Sequence, residues 1–172
     1  MRFNLLCNSL ESMIRPVTPS DYNALLKLNS DSIPHVNFIN SSIFADLHRQ
    51  STLFVVYEHE EEVVAFLIVL DETASYDSLN FAYFQKKFSK FLYIDRIVVA
   101  ERFRRKGIGQ SLYHFLFTLD YGPRPITCEV NLDPPNPKSI SFHEAQGFIS
   151  IDEQLTEKGR KKVSLMMRVK EM

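Results

Sequence analysis

Val63 to Leu70 is an unbroken apolar run of eight residues, and Leu53 to Tyr57 is a second such run just before it. The charged stretch His59-Glu60-Glu61-Glu62 lies between them. Short β-branched runs around a charged turn predict an antiparallel hairpin, and continuous rather than alternating hydrophobicity predicts strands covered on both faces. Such a hairpin needs a larger sheet and covering helices. Eight residues fall far short of the roughly 18 of a membrane span, so no membrane is expected as a partner.

The remaining segments supply those elements. Ile14–Val17 reads as a strand, and Thr18-Pro19-Ser20-Asp21 as a helix start with a capping hydroxyl, a proline and an early acid. Tyr22, Leu25, Leu26 and Leu28 give the following helix its apolar face. A short helix is expected over Ser42–Arg49, with Ile43, Phe44 and Leu47 inward. Leu92–Val99 is a strand, Gly109–Leu119 a helix carried by Leu112, Phe115, Leu116 and Leu119, and Ile126–Asn131 a strand. Pro137–Gln146 is a helix ended by Gly147, and Phe148–Ile151 and Val163–Val169 are the last strands. A hairpin followed by strand–helix–strand–helix–strand predicts an α/β chain of the α+β kind, with a mixed sheet and helices on both faces.

At 172 residues, 45% hydrophobic and 24% charged, the chain is an ordinary globular protein. Residues 1–12 lack periodicity and read as an N-terminal extension that need not be structured. Residues 13–172 read as a single domain. Lys and Arg total 20 against 21 Asp and Glu, a net charge of −1 that argues against nucleic acid as a partner. Cys7 and Cys128 are too few for a disulfide scaffold, and the first residues make a poor secretory signal, so a cytoplasmic protein is expected.

Arg102, Arg104, Arg105 and Lys106 crowd the turn between a buried strand and an amphipathic helix, and run directly into Gly107-Ile108-Gly109. Glycines let successive N–H groups point into one concavity, and the helix N-terminus adds positive potential. That chemistry suits a phosphate or diphosphate; the alternative is a solvated charge run beside a glycine turn. A Walker-type loop lacks its Gly-Lys-Ser/Thr, and a dinucleotide fingerprint lacks its third glycine, which is Leu112 here.

Arg104-x-x-Gly107-x-Gly109 opening a helix resembles the acyl-CoA loop of GNAT N-acetyltransferases. Downstream, Asn136-x-x-Ser139-x-x-Phe142-His143-x-x-x-Gly147-Phe148 is similar to the second motif of that family. The resemblance implies a central mixed, mostly antiparallel sheet and acetyl-CoA as co-substrate, with no metal. It also implies that the backbone of Ile97, Val98 and Val99 runs beside the pantetheine arm, with the Val99 N–H on the thioester carbonyl. Amides of Arg104, Arg105, Lys106, Gly107, Ile108 and Gly109, with Gln110, would cradle the diphosphate. Asn136, Ser139, Phe142 and His143 would line the arm. Where the family usually has a tyrosine that protonates the departing thiolate, this chain has His143. It is therefore the expected catalytic acid, and packing beside the arm is its alternative. Homodimers are common in the family.

Asp95 and Arg96 sit inside the Leu92–Val99 strand, on opposite faces by alternation. Buried charges need a partner or a function. An attacking amine must lose a proton, so Asp95 is the first candidate base, against a structural ion pair as the alternative. Glu129 and Asn131 on the next strand are further candidates for contacting acceptor or thioester. Asp71 and Glu72 are candidates for a cationic acceptor. The long connection from Asp71 to Phe91 could be a substrate-side lid, while Phe81, Phe84 and Phe88 at helical spacing read as core. Asp133-Pro134-Pro135 is expected to fix a helix start, and Lys158–Lys162 to be an exposed turn. The function expected is acetyl transfer from acetyl-CoA to a primary amine of a small molecule or peptide, by direct attack in a ternary complex. The alternative is an acyl-CoA-binding sensor without transfer.

Overall fold

A computed structural model describes residues 12–169, so the expected N-terminal extension lies, but for Ser12, outside the described residues. Seven strands form one sheet in the order β1-β2-β3-β4-β5-β7-β6. They are β1 (Ser12–Pro16), β2 (Leu53–His59), β3 (Glu62–Asp71), β4 (Leu92–Val99), β5 (Ile126–Asp133), β6 (Ile149–Thr156) and β7 (Lys161–Arg168). The helices are α1 (Tyr22–Ser30), α2 (Ser41–Gln50), α3 (Leu79–Lys87), α4 (Ile108–Thr118) and α5 (Pro137–Ala145). Pairs β1/β2, β2/β3, β5/β7 and β6/β7 are antiparallel, and β4/β5 is parallel, matching Leu92 with Ile126 and Tyr93 with Thr127. The sheet is therefore mixed and mostly antiparallel, flanked by helices, as expected.

Two compact units are distinguished. In the first, residues 12–69 and 96–119, the hairpin forms where the apolar runs placed it. Glu60 and Glu61 both take positive φ, 49° and 64°, the two-residue turn whose twist matches that of its strands. Phe44, Phe54 and Phe66 pack together in a core around the hairpin, with ring centroids 5.8–6.2 Å apart. Phe44 and Leu47 of α2 point inward as expected, but Ile43 is 40% exposed. It lies in the first turn beside the Asn40 cap, where the Asn40 side chain accepts from the Ile43 N–H.

The face of α1 also differs from the expectation. Its buried positions are Leu25 and Asn29, while Leu26 and Leu28 are only half-buried. Asn29 is inside because Arg96 is. Arg96 Nη1 donates to Asn29 Oδ1 over 2.7 Å and to the Asn37 carbonyl over 3.3 Å, and Asn29 Nδ2 donates to the same carbonyl. A buried guanidinium is thereby solvated by amide groups rather than by water.

In the second unit, residues 70–95 and 120–169, an aromatic cluster forms the core. Phe81, Phe84, Phe91 and Tyr93 are all buried, with ring centroids 5.2–6.2 Å apart. The stripe on α3 is thus core, although Phe88, the C-terminal cap, is only half-buried. Glu72 anchors the same connection: Arg124 donates to both its oxygens at 3.0 and 3.2 Å, and the Phe91 N–H donates to Oε2. Lys161 and Lys162, expected in an exposed turn, begin β7 instead and pair in register with Thr156 and Leu155. The 3-10 turn Glu157–Gly159 and the exposed Arg160 that caps it take the bend.

Candidate active site

After β4 the chain passes through a 3-10 turn, Glu101–Phe103, and enters α4. Arg105 takes φ +63° and Gly107 φ +82°, with Lys106 between them outside the positive-φ region. Alternating signs of φ turn successive N–H groups inward to make an anion-binding nest, here continuous with the orphan N–H groups of the first turn of α4. A Cβ at Gly107 would meet nothing within 4 Å, so the space before the turn is open. The side chains divide the work. Arg102 pairs with Glu62, and Arg102 and Lys106 lie over the Phe103 ring at 4.9 and 5.0 Å. Arg104 Nε donates to the Val99 carbonyl over 3.0 Å and ties the turn to the end of β4. Only the backbone and Gly107 need this conformation, which is why two glycines and basic side chains were enough to mark it.

The second unit gathers acids and tyrosines. The Tyr93 hydroxyl donates to Glu129 Oε2 over 2.6 Å, and the Tyr76 hydroxyl donates to Asp95 Oδ1. Tyr76 and Tyr93 also pack ring against ring, with centroids 6.2 Å apart. Burial pushes the Glu129 carboxyl up to about 7, and the Asp95 charge adds to that rise. The hydrogen bond from Tyr93, the neighbouring Asn80 amide and the positive charge of Lys161 oppose it. Tyr93 itself is held well above its ordinary range, first by burial and then by the Glu129 charge, so it stays a donor. A carboxyl balanced near neutrality with partial access to solvent is suited to accept a proton from an amine.

Ser139, Phe142 and His143 on α5 and Gln146 at its C-terminal cap share the buried and half-buried face. Asn136 caps this helix, its Oδ1 accepting from the Ser139 N–H. His143 is 3% exposed and stands edge-on to Phe142 and Phe148, with centroids 5.4 and 5.5 Å away. Its Nδ1 lies 2.7 Å from the Ser139 carbonyl oxygen. A carbonyl can only accept, so Nδ1 carries the proton and Nε2 of the neutral ring is an acceptor. Burial lowers the pKa of His143, partly offset by that same hydrogen bond.

The family model for the acetyltransferase (GNAT) family matches residues 21–148, about three quarters of the chain. The chain belongs to the GNAT acetyltransferase family. Its fold is similar to that of Ard1 from Thermoplasma volcanium, with 22% identity, TM-score 0.74, and 95% of this chain and 100% of that chain covered. Arabidopsis thaliana Naa60 in complex with acetyl-CoA is similar at 18% identity and TM-score 0.72, covering 92% of this chain and 99% of that one. Arabidopsis thaliana Naa50 in complex with a CoA–peptide bisubstrate analogue follows at 16% and 0.70, covering 92% and 99%. No curated protein matches the chain.

Within this GNAT chain, the sequence candidates separate into those the structure groups and those it does not. Asp95 and Glu129 fall into one cluster with Tyr76 and Tyr93. Asn131 is buried and its carbonyl accepts from the Asn136 N–H, so its backbone supports the start of α5. Asp71 stands apart, its Oδ1 accepting from Thr73 N and Oγ1, and Glu72 is engaged by Arg124. Among the described residues no group of His, Cys, Asp and Glu could hold a metal, and no helix is long and apolar enough to cross a membrane. Sequence reasoning missed Tyr76, Asn80 and Tyr93 as site residues. Alternation along β4 placed Tyr93 on the Asp95 face and could have raised it; nothing local marks Tyr76 or Asn80.

Proposed function

We propose that this chain transfers the acetyl group of acetyl-CoA to a primary amine, with Glu129 as the base. The observation that carries this reading is the Glu129 carboxyl, crowded by protein atoms, hydrogen-bonded by Tyr93 and poised near neutrality. A sensor that only binds acyl-CoA has no need of such a group. The nest at Arg105–Gly107 and the start of α4 fit a diphosphate, and we assign them, with the amides of Arg104 to Gly109 and with Gln110, to that part of acetyl-CoA. The backbone of Ile97 to Val99 is assigned to the arm and the thioester carbonyl, as the family resemblance implies.

In the reaction, the amine nitrogen attacks the thioester carbonyl carbon and a C–N bond forms. Glu129 takes the proton the nitrogen sheds. The C–S bond then breaks, and the thiolate leaves and takes up a proton. For His143 we place lining the arm, as the family resemblance implies, ahead of supplying that proton: Nδ1–H is committed to the Ser139 carbonyl, and burial opposes the cationic form an acid would need. Asn136, Ser139 and Phe142 are assigned to the same lining. The Naa50 structure holds a peptide joined to CoA, so a peptide N-terminus is the acceptor we place first, ahead of small amines. We infer a cytoplasmic setting, to which the free, buried thiol of Cys128 is suited.

Calorimetric titration with acetyl-CoA, followed by thiol release across peptides, lysine and polyamines, tests this reading. Binding with amine-dependent release of CoA is expected. Binding without release for any amine would leave the sensor alternative.

A further inference from the structure

Tyr76 is half-buried and lies in neither a helix nor a strand, two residues before Ser78, the N-terminal cap of α3. Its carbonyl accepts from the Ser78 N–H over 3.0 Å, and its ring meets Phe81 edge-on with centroids 5.8 Å apart. What the side chain reaches is the cluster of acids and tyrosines. The ring packs on Tyr93 at 6.2 Å, and the hydroxyl donates to Asp95 Oδ1. Phe81 and Phe84 pack on the same Tyr93 ring at 5.2 and 6.0 Å, and α3 carries both. Tyr76 has no regular element to carry it, so its hydrogen bond to Asp95 ties the ring in place. Contact by contact, the path runs from Asp95 to Tyr76, from Tyr76 to Tyr93, and from the Tyr93 hydroxyl to Glu129 over 2.6 Å.

We propose that Tyr76, tethered by Asp95, is a positioning residue that keeps the Tyr93 phenol, and through it the Glu129 carboxylate, aimed at the acceptor amine. The proposal rests on the reading of Glu129 as the base. It gives the long connection between β3 and β4 a chemical task beyond its aromatic core. A ring freed from one of its packed neighbours gains room to rock, and a base displaced by a fraction of an ångström loses rate without loss of affinity for the other substrate. The tether needs an oxygen that accepts from the Tyr76 hydroxyl, not a negative charge. Asp95→Asn therefore separates the two properties of Asp95: the amide oxygen still accepts while the charge is gone. Asp95→Ala removes both.

The test is proton NMR of the Tyr93 hydroxyl in the full chain without substrates, beside kcat at pH 8 and acetyl-CoA affinity by calorimetry. A hydroxyl proton held by a carboxylate inside a ring cluster exchanges slowly with water and gives a resolved line. Tyr76→Phe and Asp95→Ala are expected to lose that line and to lower kcat about tenfold, with acetyl-CoA affinity unchanged. Asp95→Asn is expected to keep the line. In a Glu129→Gln background, Tyr76→Phe should cost no further turnover, because Tyr76 acts through that carboxylate. A line and a kcat unmoved in Tyr76→Phe, or a loss that simply multiplies with that of Glu129→Gln, would overturn the proposal and leave the base in place. Glu129→Gln with undiminished turnover would instead remove the base itself, and the proposal with it, whatever the Tyr93 line shows.

Discussion

The Tyr93 hydroxyl and Glu129 Oε2 lie 2.6 Å apart, joining the start of β4 to the middle of β5 through a phenol that donates to a carboxylate. Tyr93 is 1% exposed and cannot turn to water, so it keeps one Glu129 oxygen fixed. Asp95 sits two residues along the same face of β4, held by Tyr76. Its negative charge helps push the Glu129 carboxyl up to about 7, second to burial among the causes that raise it.

Asp95→Asn removes that repulsion. The acidic limb of kcat should then move down by about 0.5–1 pH unit, with turnover at pH 8 within about tenfold of the native chain. Steady-state rates between pH 5 and 9 measure it. A loss of ~10²-fold or more would make Asp95 the base in place of Glu129.

Glu129 should also cost the fold stability at the pH where it works. Its folded-state pKa, about 7, stands above the ordinary 4.5, so the stability it contributes is fully present below about 4.5 and lost as pH rises through 7. Glu129→Gln should therefore be more stable than the native chain at pH 8, by on the order of 2 kcal/mol, and lose that advantage at pH 4.5. Urea denaturation at the two pH values reads this directly, and an equal offset at both would contradict it.

His143 has the opposite sign. Burial depresses its pKa below 6.5, so its contribution is present above that value and lost as pH falls through the folded pKa. A His143→Gln variant should lose less stability between pH 7 and pH 5 than the native chain. Its turnover should remain within about tenfold, where loss of a general acid would cost ~10²–10⁴-fold. Thermal melts against pH and rates with the preferred acceptor check both halves.

At the turn into α4, Gly109→Val should weaken acetyl-CoA binding at least tenfold, about 1.4 kcal/mol, by crowding the first turn where the diphosphate is assigned. Arg104→Ala should act more mildly, because its guanidinium is turned to the Val99 carbonyl and the backbone carries the contact. Calorimetry on the folded variants decides it; unchanged affinity for Gly109→Val would remove the phosphate-loop assignment.

What the sequence made legible was local. The hairpin around Glu60 and Glu61, the glycine turn at Gly107 and the shared face of Ser139, Phe142 and His143 all depend on residues within a few positions of one another. The cluster of acids and tyrosines does not. Tyr93 and Glu129 are 36 positions apart, and Asn80 and Gln154 are 74 apart, so no spacing rule could pair them. The same limit explains Asn29. Hydrophobicity favours Leu26 and Leu28 for the core, but the face set by Leu25 continues at Asn29, four residues on, whose side chain meets Arg96, 67 positions away. Asp95 was legible as a misplaced charge, and only the fold shows that Glu129 lies near it with its carboxyl raised by burial.

The central claim, acetyl transfer driven by Glu129 as base, is tested most directly by the pH dependence of kcat with acetyl-CoA and an accepting peptide, in the native chain and in Glu129→Gln. The account predicts a rate that falls below about pH 7 in the native chain as Glu129 takes up its proton. In Glu129→Gln it predicts turnover reduced ~10²–10⁴-fold with that limb gone and acetyl-CoA affinity intact. Full turnover in Glu129→Gln, with the acidic limb still in place, would contradict it.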